Sequence, residues 1–411
     1  MRLEDLLIDD VESGVFRVHR STMTSEALLE LERERIFGRR WLYVGHDSEV
    51  PGPGDFRRRE VAGRPLVMVR GSDGAVRVLL NSCRHRGALV CRAQTGSAET
   101  FSCFYHGWTY DNKGALIGLP DPSAYSAAFD RAQMGLLPPP HVESYRGFHF
   151  VSFDHAAASL AASLGHVRTF IDVIADQSPA GIRVLPAAIR YGIRANWKLM
   201  AENSVDSYHV PSLHQSYLRF MAGQGVAVSR PKGTSWGMDL GQGHGAFSGL
   251  VRSAGLYGGS VSRVSETTKA ALEHIRDEQV ARYGEERRDW APGRMNFLVY
   301  PSCAFVGMTT LRAISPVSTD RTEISTWVVV PADEVGEALA ARVNDIPLFQ
   351  GPGGFASPDD VEAMESCQAG FAAREVEWTD LSRGMQRTPR DSDEVQIRAF
   401  WRQWHADLGR S

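Results

Sequence analysis

The spacing of apolar and polar positions changes period along the chain. Residues 24–37 repeat apolar positions at helical spacing and predict one amphipathic helix, with Thr24 as its N-cap, Glu26 in the first turn and Gly38 at the stop. Short β-like runs follow. Pro65–Arg70 and Val76–Leu80 flank Gly71-Ser72-Asp73-Gly74, a hairpin signal. Trp108–Tyr110 leads into the turn Asp111-Asn112-Lys113-Gly114, and Phe148–Phe153 alternates in the same way. Residues 39–155 therefore predict a small antiparallel β domain.

The Ala-rich stretch Ala156–Ala162 marks a shift in composition. Ile189–Trp197 reads as a strand running into a helix. Between Arg294 and Val330, the runs Asn296–Tyr300, Met308–Ile314 and Glu323–Val330 suggest an antiparallel sheet. Near the end, Ile397, Trp401, Trp404 and Leu408 form one helical stripe, with Ser392 as cap, Asp393 and Glu394 in the first turn and Gly409 at the stop. Residues 156–411 thus predict a larger domain whose antiparallel sheet is flanked by helices, with residues 1–38 as a helical arm packed on it. The fold class is α+β. Residues 222–260, rich in Gly and Ser, read as a loop covering a pocket. Within them Gly241-Gln242-Gly243-His244-Gly245 lacks the βαβ setting of a dinucleotide loop.

A length of 411 residues fits two domains, and 43% hydrophobic with 23% charged content is that of a globular protein. A net charge of −4 gives no reason to expect nucleic acid or an anionic membrane as partner. Arg57-Arg58-Arg59 is a short run that reads as a solvated strand or loop edge. The acidic N-terminus lacks the apolar core of a signal peptide, and no run approaches the ~18 apolar residues of a membrane helix, so a cytoplasmic location is expected. The five cysteines make no disulfide framework. Cys91, Cys303 and Cys367 read as small buried hydrophobes.

Candidate chemistry concentrates in two places. Cys83-Arg84-His85 and Cys103-Phe104-Tyr105-His106 each offer one thiolate and one imidazole, and 17 residues separate His85 from Cys103. Two Cys and two His can hold one iron of a [2Fe–2S] cluster through sulfur and the other through nitrogen, the Rieske arrangement, whose potential rises to roughly −150 to +300 mV. Two Cys and two His also close a structural zinc site, although zinc ligands usually come as Cys pairs and His pairs.

The second place is Asn203-Ser204-Val205-Asp206-Ser207-Tyr208-His209-Val210-Pro211-Ser212-Leu213-His214. Asn203, Asp206 and His209 are three apart and would share a helix face. His214 would lie about 140° from His209 on a continuous helix. Pro211 discourages helix at Val210, so the helix should end near His209 and a new segment turn His214 back. A lone His on a helix is more often structural than a ligand. Two histidines and a carboxylate on one face of an iron, however, form the facial triad of non-haem iron oxygenases. Asp206, on the His209 face, could hydrogen-bond an imidazole N–H and orient it.

Cys83-Arg84-His85-Arg86-Gly87 with Cys103-Phe104-Tyr105-His106-Gly107-Trp108 resembles the cluster motif of the Rieske non-haem iron oxygenases, specifically their large catalytic subunits. That resemblance spans nearly the whole chain. It implies a Rieske [2Fe–2S] cluster and a mononuclear Fe(II), with Arg86 and Trp108 around the cluster. It points to Gly351-Pro352-Gly353-Gly354-Phe355-Ala356-Ser357-Pro358-Asp359-Asp360 for the missing carboxylate, with Asp360 at the ligand position and Asp359 as the alternative. Asp206 becomes an electron-transfer gate to a neighbouring subunit of a head-to-tail trimer, and Asn203 a polar group near the iron.

By that resemblance the reaction is insertion of O2 into an aromatic ring to give a cis-dihydrodiol. NADH electrons would come through a separate reductase, with or without a ferredoxin, to a homotrimer or an α3β3 assembly with a small β subunit. The flanks look closest to subunits acting on aromatic carboxylates of the cumate or terephthalate type, and Ser204, Val210, Phe220, Met308 and Phe355 are the pocket candidates. A monooxygenase or oxidative demethylase would use the same two centres. A non-enzymatic Rieske carrier or a zinc-stabilised binding protein would leave the second cluster of residues without purpose.

Overall fold

A computed structural model describes residues 2–223, 235–249, 265–267, 270, 281, 294–351 and 353–410. The chain forms two compact units: Phe37–Leu160, and Met1–Ile36 together with Ala161–Ser411. Among the described residues no helix is long and apolar enough to cross a membrane.

Phe37–Leu160 is built of antiparallel strands. Val76–Leu80, Arg64–Arg70, Asp55–Val61 and Thr95–Ser97 form a four-stranded sheet in that order. Thr100–Ser102, Thr109–Asp111 and Leu116–Gly118 form a second sheet, and His141–Tyr145, Phe148–Ser152 and Leu42–His46 a third. Leu66, Val67, Met68 and Val69 are all buried, so their strand is covered on both faces. Phe56, Val67, Val69, Leu79, Phe101, Trp108 and Tyr110 pack around Cys83 and Cys103. Of the arginine run, Arg59 is not solvated. It donates to the Val44 carbonyl at 2.9 Å and pairs with the buried Glu49, because its side chain points to the covered face of the Asp55–Val61 strand.

The larger unit is organised on a seven-stranded antiparallel sheet. Its order is Ile182–Ile193, Arg321–Pro331, Thr310–Ser318, Cys303–Val306, Arg294–Val299, Gly245–Gly249 and Ser235–Asp239. Part of the stretch read as a loop is therefore a hairpin. Gly241 and Gly243, at φ of +79° and +81°, close its turn, and the rest of that reading lies outside the described residues.

Three helices meet on one buried carboxylate. Glu32 of the Glu26–Arg35 helix accepts from Trp197 Nε1 at 2.6 Å, Lys198 Nζ at 2.6 Å and Trp404 Nε1 at 2.8 Å. It thereby ties the Trp197–Ser204 and Val395–Gly409 helices together. Ser25, not Thr24, caps the first helix, accepting from the Leu28 N–H, because the Thr24 N–H closes the preceding turn on Ser21. The last helix starts at Val395 rather than at Ser392. Asp393 is gripped by Arg387 and by the Arg390 N–H and cannot enter it. Cys91 and Cys303 are buried, whereas Cys367 is exposed on the outer face of the Ser357–Gly370 helix.

Candidate metal centres

The two cysteine–histidine loops fold alike. The Gly87 N–H donates to the Cys83 carbonyl and the Cys83 N–H to that of Ala88, both at 2.9 Å. Gly107 donates to Cys103 at 2.9 Å, and Cys103 to Trp108 at 2.8 Å. Gly87 and Gly107 close these loops at φ of +76° and +69°, where a side chain would be strained.

Between the loops, the His85 and His106 rings lie 4.6 Å apart, and Nδ1 of each is buried without a hydrogen-bond partner. Cys83 and Cys103 are buried and unbridged. Orphaned imidazole nitrogens beside free thiols are the donor set a Rieske cluster requires, and the residues fit that group. Trp108 stacks on His85 with centroids 5.2 Å apart and planes 6° from parallel. Arg86 faces outward, its Nη1 3.5 Å from the Tyr105 hydroxyl. Tyr110 holds the first loop from below. Its hydroxyl accepts from the Arg84 N–H at 3.0 Å and lies 3.3 Å from Cys83 Sγ.

The second centre forms where a helix breaks. Asn196 caps the Trp197–Ser204 helix, which ends at Ser204 and not near His209. The cause is local: Asp206 Oδ1 accepts the Tyr208 N–H at 2.6 Å, a turn that competes with helix. Asn203, Asp206 and His209 therefore share no helix face. Nor does Pro211 keep Val210 out of helix. Val210–Leu213 is a short helix with Pro211 in its first turn, where no N–H is needed. That turn is what returns His214 to His209.

Three donor atoms then converge. His209 Nε2 and His214 Nε2 are 3.2 Å apart, and they lie 3.4 Å and 3.2 Å from Asp360 Oδ1. A metal holding neighbouring ligands at about 2.1 Å and near right angles spaces them by about 3 Å. His209, His214 and Asp360 meet that requirement. The histidines are held from behind, and Asp360 is held at the oxygen that faces them. Asp206 Oδ2 lies 3.0 Å from His209 Nδ1, Asp359 Oδ2 lies 3.4 Å from His214 Nδ1, and Asn203 Nδ2 donates to Asp360 Oδ1 at 3.0 Å.

Asp359 and Asp360 stand in the first turn of the Ser357–Gly370 helix, where its dipole favours negative charge. Burial raises the Asp360 pKa, but His214, His209 and Asn203 outweigh it and hold the carboxyl below its ordinary value. Burial likewise opposes charge on His214, and Asp360 with Asp359 overcomes it, raising the imidazole.

Of the pocket candidates, Phe220 and Phe355 stack at 4.9 Å. Phe349 lies 6.0 Å from His214 and 4.7 Å from Tyr217, so an aromatic wall stands beside the histidines. Ser204 is buried at the helix end, Val210 begins the short helix, and Met308 is buried in a turn where its carbonyl accepts from Gln177. Tyr110, Phe349 and the backing role of Asp359 were missed in the sequence. Only the i, i+1 carboxylate pair hinted at the last.

Residues 40–145 match the family described as Rieske [2Fe-2S] domain, and residues 184–408 match Ring hydroxylating alpha subunit (catalytic domain). The chain is 33% identical over 403 residues to toluate 1,2-dioxygenase subunit alpha of Pseudomonas putida, covering 95% of this chain and 87% of the relative. It is 41% identical over 216 residues to N,N-dimethyl phenylurea N-demethylase subunit alpha of Sphingobium sp. (strain YBL2), covering 52% of this chain and 47% of the relative. A solved structure of naphthalene 1,2-dioxygenase with indole bound in its active site superposes with a TM-score of 0.85 at 25% identity, over 100% of this chain and 96% of that one.

This fold and site define an iron-dependent oxidoreductase with a Rieske cluster and a mononuclear iron. The chain belongs to the Rieske non-haem iron oxygenases, in the ring-hydroxylating alpha-subunit family. With that, the zinc-stabilised and electron-carrier readings fall.

Proposed function

We propose that the chain is the terminal oxygenase of a multicomponent aromatic-ring dioxygenase, adding both atoms of O2 to an aromatic substrate to give a cis-dihydrodiol. The observation that carries this is the convergence of His209, His214 and Asp360 in a chain matched over 95% of its length by a relative named toluate 1,2-dioxygenase subunit alpha. Residues 39–155 are assigned to the cluster domain, 156–411 to the catalytic domain and 1–38 to its helical arm. Cys83 and Cys103 hold one iron of the cluster, and His85 and His106 the other. His209, His214 and Asp360 hold the mononuclear iron.

When bound, the two groups supply one-electron transfer and O2 activation. The residues of the chain do the positioning. Asp206 keeps the His209 proton on Nδ1, so that Nε2 presents its lone pair, and Asp359 does the same for His214. Asn203 fixes one Asp360 oxygen. Tyr217, Phe220, Phe349 and Phe355 offer an apolar wall to a ring. Asp206 would also pass on an electron arriving from a neighbouring subunit of a trimer. NADH electrons would come through a separate reductase, with or without a ferredoxin, and a small β subunit would complete an α3β3 assembly. The name of the toluate relative favours an aromatic carboxylate as substrate.

The N-demethylase relative, closer in identity but over half the chain, favours a second reading: oxidative demethylation at the same centres. Turnover under 18O2 separates the two. A dihydrodiol carrying two labelled oxygens supports dioxygenation. Formaldehyde or a singly labelled phenol overturns it.

A further inference from the structure

The described residues include four buried cationic side chains in the larger unit: Lys198, Arg312, Arg342 and Arg398. Three have strong acceptors. Lys198 pairs with Glu32, Arg342 with Glu334, and Arg398 donates to the carbonyls of Leu381 and Arg383. Arg312 does not. It is 4% exposed, and its Nη1 reaches only the Ser204 hydroxyl at 3.0 Å and the Met200 thioether at 3.3 Å. Its Nε is buried with no partner, and no carboxylate among the described residues pairs with it. A guanidinium remains charged, and removing it from water without an anion is costly. Arg312 is therefore a buried cation without an anionic partner among the described residues.

A second orphan adjoins the first. Arg312 stands directly opposite Thr326 in the antiparallel register, so their side chains share a sheet face. The Thr326 hydroxyl is also buried without a partner. On the next strand the opposite residue is the small Ala304. Ser204, which tethers Arg312, follows Asn203 in the chain, and Asn203 donates to Asp360. Ser204 thus links Arg312, along the chain, to the residue that steadies the metal-binding carboxylate.

We infer that Arg312, with Thr326 beside it, binds the carboxylate of an aromatic acid and selects acids over neutral aromatics. This rests on the proposed ring dioxygenation at His209, His214 and Asp360. The Nε edge of the fork can donate side-on to a carboxylate while Nη1 stays on Ser204. Arg312 is a substrate-binding residue that fixes which carbons of the ring face the iron. It takes no part in the bond changes.

The test uses iron-loaded holoenzyme and the probes benzoate, 4-methylbenzoate, benzamide and toluene. Binding is measured by calorimetry without O2 or reductant, then KM and kcat by turnover. Wild type should bind the acids at least about thirtyfold more tightly than the neutral probes. Arg312→Gln should lose about that factor in Kd and KM for the acids, leave the neutral probes within twofold, and keep the cluster spectrum. Thr326→Val should weaken the acids a few-fold.

Three results overturn the assignment: acid affinity within twofold of wild type in Arg312→Gln, equal losses for acids and neutral probes, or a wild type that takes no acid. Should Arg312→Gln not fold, Arg312→Lys, which keeps the charge but loses the fork, and the wild-type acid-to-amide ratio decide. A dihydrodiol from toluene without acid binding leaves the dioxygenase reading standing and sinks Arg312. Acids bound through Arg312 but converted to phenols sink the dioxygenase reading alone.

Discussion

Asp206 and His209 are joined by a 3.0 Å contact between Oδ2 and Nδ1, while the opposite nitrogen of the same ring faces Asp360 at 3.4 Å. One carboxylate therefore sets the tautomer and angle of a ring whose far side points at the donor set. Its other oxygen accepts the Tyr208 N–H and holds the turn that ends the helix.

Asp206→Ala should lower iron affinity or NADH-driven turnover by about 10–100-fold while the reduced-cluster EPR signal persists. Iron content and turnover are measured on the same sample. If turnover falls further than iron content, Asp206 also serves electron entry. Unchanged iron and turnover would contradict both roles.

Asp360 and Asp359 are adjacent, but only Asp360 lies among the convergent donors. Asp360→Ala should lose the mononuclear iron, and Asp359→Asn should retain most of it with a lower affinity. Metal analysis after dialysis distinguishes them, and the reverse order would exchange the two roles.

Tyr110 sits 3.3 Å from Cys83 Sγ with its hydroxyl already accepting from the Arg84 N–H, which leaves the O–H to donate to sulfur. Such a bond stabilises the more negative, reduced cluster. Tyr110→Phe should lower the reduction potential by roughly 50 mV, the equivalent of one modest hydrogen bond. Voltammetry of the purified protein reads it directly. A raised potential would refute the donor assignment.

Glu202 is partly buried, and desolvation pushes its carboxyl up to about 8, against the lowering effect of the Trp401 indole N–H at 2.6 Å. The folded state thus holds a proton that the unfolded chain releases near its ordinary value of 4.5. The stability from this protonated group is complete below that value and lost as pH rises toward 8, with a slope of at most roughly 1.4 kcal/mol per pH unit. Glu394, raised by burial and by Asp206 to about 7, adds a similar slope over a narrower window. Glu202→Gln keeps the acceptor for Trp401 and should flatten the fall in melting temperature between pH 5 and 8. An unchanged pH profile would show that Glu202 is ionised in the fold.

The cluster loops were fully legible because their chemistry is local: ligand, spacer and glycine lie within five residues. The sheet strands were legible for a similar reason, as period-two runs such as Glu323–Val330 lie inside Arg321–Pro331. The geometry of the second centre was less so. Periodicity carried a helix through Asp206 to His209, whereas a side-chain bond to Tyr208 stops it at Ser204. Nor could the sequence show that Glu32 would be shared by Trp197, Lys198 and Trp404, up to 372 residues away. Arg312 carried the faintest signal, a lone charge in the otherwise apolar stretch Leu311–Ile314, and only its missing partner gives it meaning.

The most direct test is EPR of anaerobically purified, dithionite-reduced protein, with iron and acid-labile sulfide measured on the same sample. A rhombic signal of lowered average g, with about three irons and two sulfides per chain, is predicted for a His-ligated cluster plus one iron at His209, His214 and Asp360. An EPR-silent protein holding zinc, with neither iron nor sulfide, would contradict the account.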